Sequence, residues 1–203
     1  VIGSYKVAGL VDLTSVSIGH PRMPLRLRPK AGFHRQIDPL KATKGRHMTK
    51  ALVEGSKAPA FTLPGSDGNN ISLSDFKGCK LVLYFYPKAD TPGCTQEAID
   101  FSRLKTAFEK VGASVLGVSA DPVKALDKFR TKHGLSVGLG SDETHAMLEA
   151  YGVWGQKSMF GKTYMGVNRT TFLIGPEGRI AKIWPKVKVP GHAKEVLEAA
   201  KAL

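Results

Sequence analysis

The spacing of apolar positions changes several times along this chain, and each change marks an element. From Phe61, "AFTL", the polar turn "GSDGNN" and "ISLSDF" predict a small hairpin-like entry. "KLVLYFY", residues 80–86, is a near-continuous apolar run of strand-forming residues, as expected of a central strand buried on both faces. Past Cys94 the period becomes helical: Phe101, Leu104, Phe108 and Val111 share one face, and Gly112 ends it. "ASVLGVSA" predicts the next strand. "PVKALDKFRTKHG" predicts a helix opened by Asp121–Pro122 and closed by Gly134, and "ETHAMLEAYGV" a shorter one. "WGQKSMFGKTYMGVN" is expected to be a loop. "RTTFLIG", the turn "PEG" and "RIAKIWPKV" then predict an antiparallel strand pair, and a final helix is expected to bury Ala193, Val196, Leu197 and Ala200. This order describes an α/β sandwich with a mixed sheet and no internal repeat.

Composition shifts near Met48. Upstream, "GHPRMPLRLRPKAGFHRQIDPLKATKGRH" is rich in Pro and Arg and keeps neither period for any useful length. Such a segment buries too little apolar area to offset its ordering entropy, so residues 1–47 are expected to be a disordered basic extension and residues 48–203 the folded domain. An organelle transit peptide fits the acid-poor composition, but the segment has few serines and no amphipathic helix. A nucleic-acid-binding arm lacks aromatic stacking platforms. The reading favoured here is upstream sequence, with the natural start at Met48.

The net charge of +13 belongs largely to that segment. Residues 1–47 hold nine Lys/Arg against two acidic residues, and residues 48–203 hold 21 against 15. The folded part is therefore only mildly basic, and neither nucleic acid nor membrane is an expected partner. No apolar run approaches the roughly 18–20 residues of a spanning helix. Two cysteines, Cys79 and Cys94, do not make a disulfide scaffold, so a reducing, cytoplasmic setting is expected, as is a monomer or weak dimer.

The chemistry lies in "FYPKADTPGCTQEAID", residues 85–100. Pro92 suits a first helical position because it has no N–H to leave unpaired. Thr91 then falls at the N-cap and Cys94 in the first turn, where free N–H groups and the positive end of the helix dipole favour a thiolate. Gly93 lets another molecule approach the backbone closely. A buried structural thiol is the common fate of a cysteine, but the strand–Pro loop–Cys–helix setting favours a nucleophile. The six histidines show no metal-ligand spacing and there is no C-x-x-C, so neither metal nor cofactor is expected.

Pro87, Thr91 and Cys94 match the peroxiredoxin pattern P-x-x-x-T-x-x-C, and "YFYPKADTPGCTQEA" resembles the bacterioferritin comigratory protein, or peroxiredoxin Q, branch. "GSKAPAFTLPGSDG", "LGVSADPV", "YGVWGQKSMFGKTYMGVNRTTFLI" and "PEGRI" extend the resemblance from about Gly55 to the C-terminus. It implies a thioredoxin fold and a thiol-dependent peroxidase reducing hydrogen peroxide and organic hydroperoxides. Cys94 would attack the O–O bond and become a sulfenic acid. The family's catalytic arginine corresponds to Arg169, a permanent cation that favours a thiolate and the departing oxygen. Thr91 would hydrogen-bond the thiolate or peroxide, and Pro87 would shield the pocket from water. Glu97 matches the family's "CTxE" but is also ordinary first-turn dipole complementarity, and is left outside the catalytic set. Trp154, Phe160 and Tyr164 are candidates for the pocket rim.

One departure stands out. Many members carry a resolving cysteine five residues after the peroxidatic one, and here that position is Ile99. Cys79 precedes the strand that leads to Cys94, roughly 20 Å away, whereas a disulfide needs Cα atoms within about 7 Å. A one-cysteine mechanism is therefore expected, with thioredoxin, glutaredoxin or a low-molecular-weight thiol as reductant. A thioredoxin-like reductase would need C-x-x-C, and a copper-delivery relative a second cysteine and a histidine nearby. A non-enzymatic nucleic-acid binder or holdase on a thioredoxin fold is the alternative from a different class.

Overall fold

The computed structural model describes residues 51–159 and 161–203; the basic segment and its expected disorder lie outside the described residues. Its scaffold is a five-stranded mixed sheet in the order β5-β4-β3-β8-β9. The central strand β3 (Lys80–Phe85) pairs in parallel with β4 (Ala113–Ser119), which pairs in parallel with β5 (Gly138–Ser141). On its other side β3 pairs antiparallel with β8 (Thr170–Ile174), which continues antiparallel to β9 (Ile180–Pro185). Leu81 to Tyr86 are all buried, as the unbroken apolar run requires. Alternate residues of β3 serve two cores: Val82 and Tyr84 pack with one set of buried residues, Leu81, Leu83 and Phe85 with another.

The first core is covered by α1 (Pro92–Lys110), α2 (Val123–His133) and α4 (His192–Ala202), through Phe101, Phe108, Leu126, Phe129, Val196 and Leu197. Leu104 and Val111 pack against it only partly buried, while Ala193 and Ala200 are buried as the helical spacing predicts. The second core is closed by α3 (Ala146–Ala150) and by the small hairpin of β1 (Thr62–Pro64) and β2 (Asn70–Ser72). The predicted strand "ISLSDF" stops at Ser72. There Asp75 Oδ2 accepts the Ser72 N–H at 2.8 Å and turns Leu73–Phe76 into one 3₁₀ turn.

Two elements differ from expectation. β5, "GLGS", carries no strand signal, since glycine has little strand propensity. It forms because its neighbours demand small residues: a Cβ at Gly140 would lie 3.2 Å from Leu63 Cδ1. The expected loop after α3 is instead a two-stranded hairpin, β6 (Trp154–Met159) and β7 (Lys162–Val167), in register from Trp154↔Val167 to Met159↔Lys162. Its alternation is masked because one face carries Gly155 and Gly166, which have no side chain to be read. Phe160 lies outside the described residues.

Candidate active site

The site assembles where β3 ends. Tyr86 N–H still bonds Val118 O at 3.1 Å, and the chain then leaves the sheet as a loop that runs into α1 at Pro92. That loop is tied on both sides. Ala89 N–H donates to Asp121 Oδ2 at 2.7 Å, and Ser119 Oγ donates to the same oxygen at 2.8 Å. Asp90, held at a φ of 59°, meets Lys132 Nζ and His133 Nε2, each at 2.7 Å, at the C-terminal end of α2. These contacts fix where the helix begins.

Thr91 is the N-cap, Pro92 the first helical residue, and Cys94 lies in the first turn, 1% exposed. Register brings the cation. Phe85 pairs with Thr170, so Arg169, one residue before β8, arrives beside the exit of β3 and hence beside the helix start. Its Nη2 donates to Cys94 Sγ at 3.2 Å, and its Nη1 donates to Glu97 Oε2. A Cβ at Gly93 would lie 3.5 Å from Arg169 Nη2, an ordinary van der Waals distance, so the guanidinium lies directly over this residue. Burial works against the Arg169 charge, but Glu97 and Cys94 outweigh it and hold the guanidinium above its ordinary value.

Glu97 is a part of the site that the residue pattern left out. It is 1% exposed and follows Cys94 by one turn on the same face. Burial pushes its carboxyl from 4.5 to about 7, against the pull of Arg169. The raised direction agrees with the surroundings, because Oε1 has no hydrogen-bond partner among the described residues. A signal was present in the sequence: an acid at 97 interrupts the stripe of Cys94, Ala98 and Phe101, which are all buried. Behind the site the Tyr84 hydroxyl is likewise buried, and burial raises it well above its ordinary range, with Tyr86, Glu97 and Cys94 adding to the effect.

Of the two partners expected for Thr91, the thiolate receives no proton from it. Its Oγ1 donates to Lys88 O at 2.9 Å, so its one proton is spent within the loop and none is left for Cys94. Pro87 is exposed immediately after the buried strand. Trp154 is half-buried and stacks on His145 with ring centroids 3.9 Å apart, and Tyr164 is exposed on β7. Ile99 packs partly buried against the first core. Cys79 is exposed at the entry of β3, and a six-residue strand separates it from the loop leading to Cys94, a span of about 20 Å. Both cysteines are free thiols. Among the described residues no group of three His, Cys, Asp or Glu is placed to hold a metal.

A thiol in the first turn of a helix, touched by a guanidinium, is placed to act as a nucleophile. The AhpC/TSA family model matches residues 55–183. The chain belongs to this family and is a peroxiredoxin. It is 48% identical over 147 residues to peroxiredoxin Bcp of Bacillus subtilis, covering 72% of this chain and 94% of that protein. Among solved structures, a Xylella fastidiosa PrxQ cysteine-to-serine variant superposes with a TM-score of 0.72 at 41% identity, covering 75% of this chain and 98% of that one. A bacterioferritin comigratory protein of Xanthomonas campestris, described for alkyl peroxide reduction, gives a TM-score of 0.67 at 46% identity over 70% of this chain and 90% of that one. The peroxiredoxin is thus of the Bcp/PrxQ type, its fold is the thioredoxin fold, and it is a thiol-dependent peroxidase acting on a peroxide and a thiol reductant. The non-enzymatic alternative is not favoured. No helix among the described residues is long and apolar enough to cross a membrane.

Proposed function

We propose that Cys94 is the peroxidatic thiol of a one-cysteine peroxidase confined to residues 48–203, with Arg169 as its catalytic cation. The supporting observation is the Arg169 Nη2 to Cys94 Sγ contact at 3.2 Å in the first turn of α1. The Cys94 thiolate attacks one peroxide oxygen; an S–O bond forms as the O–O bond breaks, and the other oxygen leaves as alkoxide or hydroxide. Arg169 donates to that departing oxygen, which then takes a proton and leaves as alcohol or water. Thr91, with its own proton on Lys88 O, accepts the hydroperoxide O–H and so orients the peroxide. Pro87 supplies a rigid rim without a backbone donor to compete for it. Glu97 holds the guanidinium from behind, so that both terminal nitrogens have a fixed partner.

The product is a sulfenic acid on Cys94. With Ile99 in the position of a resolving cysteine and Cys79 at the far end of β3, an external thiol attacks that sulfur and expels water. A second thiol then resolves the mixed disulfide, supplying the second electron of the pair. Cys94 is 1% exposed, so a protein reductant reaches it only after the first turn of α1 opens. The substrates are hydrogen peroxide and organic hydroperoxides, and the reductant is thioredoxin, glutaredoxin or a small thiol, as a reducing compartment such as the cytoplasm supplies. The test is peroxide consumption with a thiol reductant. Cys94→Ser should abolish it and Cys79→Ser should leave most of it; substantial turnover by the Cys94→Ser protein would end the reading.

A further inference from the structure

The loop that carries the chain into α1 is tied to α2 by one exposed acid. Asp90 immediately precedes the N-cap Thr91, in the same short segment as Cys94. Its Oδ2 accepts from Lys132 Nζ and its Oδ1 lies against His133 Nε2, each at 2.7 Å. Lys132 first, and then His133, hold its carboxyl below the usual carboxylate range, so it stays ionised near neutral pH. The post it is tied to is rigid. The His133 ring meets Phe129 edge-on with centroids 5.4 Å apart, and Phe129 is buried against Tyr86. Asp90 itself keeps a φ of 59°, a left-handed backbone that a non-glycine residue holds only where its surroundings impose it.

The turn that follows lies at the surface: Pro92 and Gly93 are exposed, and Thr95 N–H closes the turn on Thr91 O at 2.8 Å. A peroxide is small and meets Cys94 with this turn in place, beside Arg169. A thiol must bring its own sulfur to a Cys94 that is 1% exposed, so the turn has to swing out first. That movement draws Asp90, next to Thr91, away from α2, while Asp121 still holds Ala89 N–H at 2.7 Å. A contact made only in the closed form sets the population of the open one. Where the open form is the minor one, weakening the contact multiplies that population and leaves the closed one almost unchanged. Reduction of the oxidised thiol then responds, and oxidation does not.

We propose that Asp90 is a positioning residue for the reduction half of the cycle: its ties to Lys132 and His133 hold the first turn of α1 closed over Cys94 and limit the access of the external thiol. The inference rests on Cys94 being the thiol that is oxidised. The test takes the full chain, oxidised by an equimolar amount of hydrogen peroxide, and mixes it with excess dithiothreitol. The incoming thiolate attacks the Cys94 sulfur, an S–S bond forms, and the S–O bond breaks with loss of water. The sulfenic acid that remains is trapped with dimedone and read by mass spectrometry. Asp90→Asn tolerates the left-handed backbone but carries no charge, and should speed this step roughly threefold, the scale of exposed ion pairs. Lys132→Gln should speed it as well, roughly twofold. Single-turnover oxidation by hydrogen peroxide should not change in either. The two variants shift the net charge in opposite directions, so a field effect on the incoming thiolate would speed one and slow the other. That pattern, an unchanged reduction rate in both, or an equal change in oxidation would overturn the proposal while leaving Cys94 in place. Absence of a trapped sulfenic acid on Cys94 of the parent would overturn the Cys94 assignment and this inference with it.

Discussion

Replacing Arg169 tests the whole arrangement, because one side chain is asked to do two things. Its charge sits beside Cys94, with Nη2 at 3.2 Å from Sγ. Unit charges about 4 Å apart in a medium of effective dielectric near 20 interact by about 4 kcal/mol, an upper bound since Glu97 shares the cation. The same donors stabilise the departing oxygen, and loss of one such donor slows an enzyme on the order of 10²–10³-fold. Arg169→Met should therefore slow single-turnover oxidation by hydrogen peroxide about 10²-fold or more. Arg169→Lys keeps the charge but loses the fork that spans Glu97 and Cys94, and should fall between Met and the parent. Met also strips Glu97 of its partner, and leaving a buried charge unpaired costs about 3–5 kcal/mol. Protonation limits that cost, because the carboxyl already stands at about 7. A Glu97→Gln, Arg169→Met double variant should recover stability without recovering rate. The assay is loss of free thiol after rapid mixing with peroxide, alongside urea unfolding of each variant. A folded Met variant oxidising within about threefold of the parent would reduce Arg169 to a structural charge and refute the assignment, since a lost donor costs far more.

Three further outcomes follow from the structure. The Glu97 carboxyl stands at about 7 in the fold against its ordinary 4.5, so the folded state binds that proton more tightly. The stability this confers is present in full below about 4.5 and is lost as pH rises through about 7; Glu97→Gln should remove the fall over that window, and parallel urea midpoints for parent and variant would contradict it. A Cβ at Gly117 would lie 2.4 Å from Tyr84 Cζ in a fully buried ring, so Gly117→Ala should cost about 1–3 kcal/mol by urea unfolding, and an unchanged midpoint would show that the ring has room to shift. A chain beginning at Met48 should unfold cooperatively and keep its peroxidase rate, whereas a lost transition would show that residues 1–47 support the domain.

Much of the local framework around Cys94 could be read from the linear chain. The unbroken run of residues 80–86 predicted a central strand, and Pro92 with Thr91 predicted a helix beginning two residues before Cys94; both are found. What failed in the sequence reading failed for identifiable reasons. β5 and the β6–β7 hairpin are rich in glycine, and glycine has no side chain from which alternation can be read. Thr91 was placed correctly as the N-cap, yet its hydroxyl turned back to Lys88 O, a choice made by the path of the loop. Glu97 sat in an apolar stripe, and the stripe alone did not say whether the acid faced water or a partner.

Local sequence therefore determined what depends on near neighbours: which segments are strands or helices, where α1 starts, and that Cys94 occupies its first turn. Those outcomes follow from backbone sterics, missing proline donors and periodic burial, which act over a few residues. Only the tertiary structure decided that Arg169, 75 residues away, meets Cys94, and that its other nitrogen meets Glu97. The antiparallel register of β8 on β3 fixes that encounter, because a slip of one residue would turn every side chain of β8 to the opposite face. Burial of Glu97 is decided the same way: its charge is costly only once α1 is laid on the sheet and water is gone.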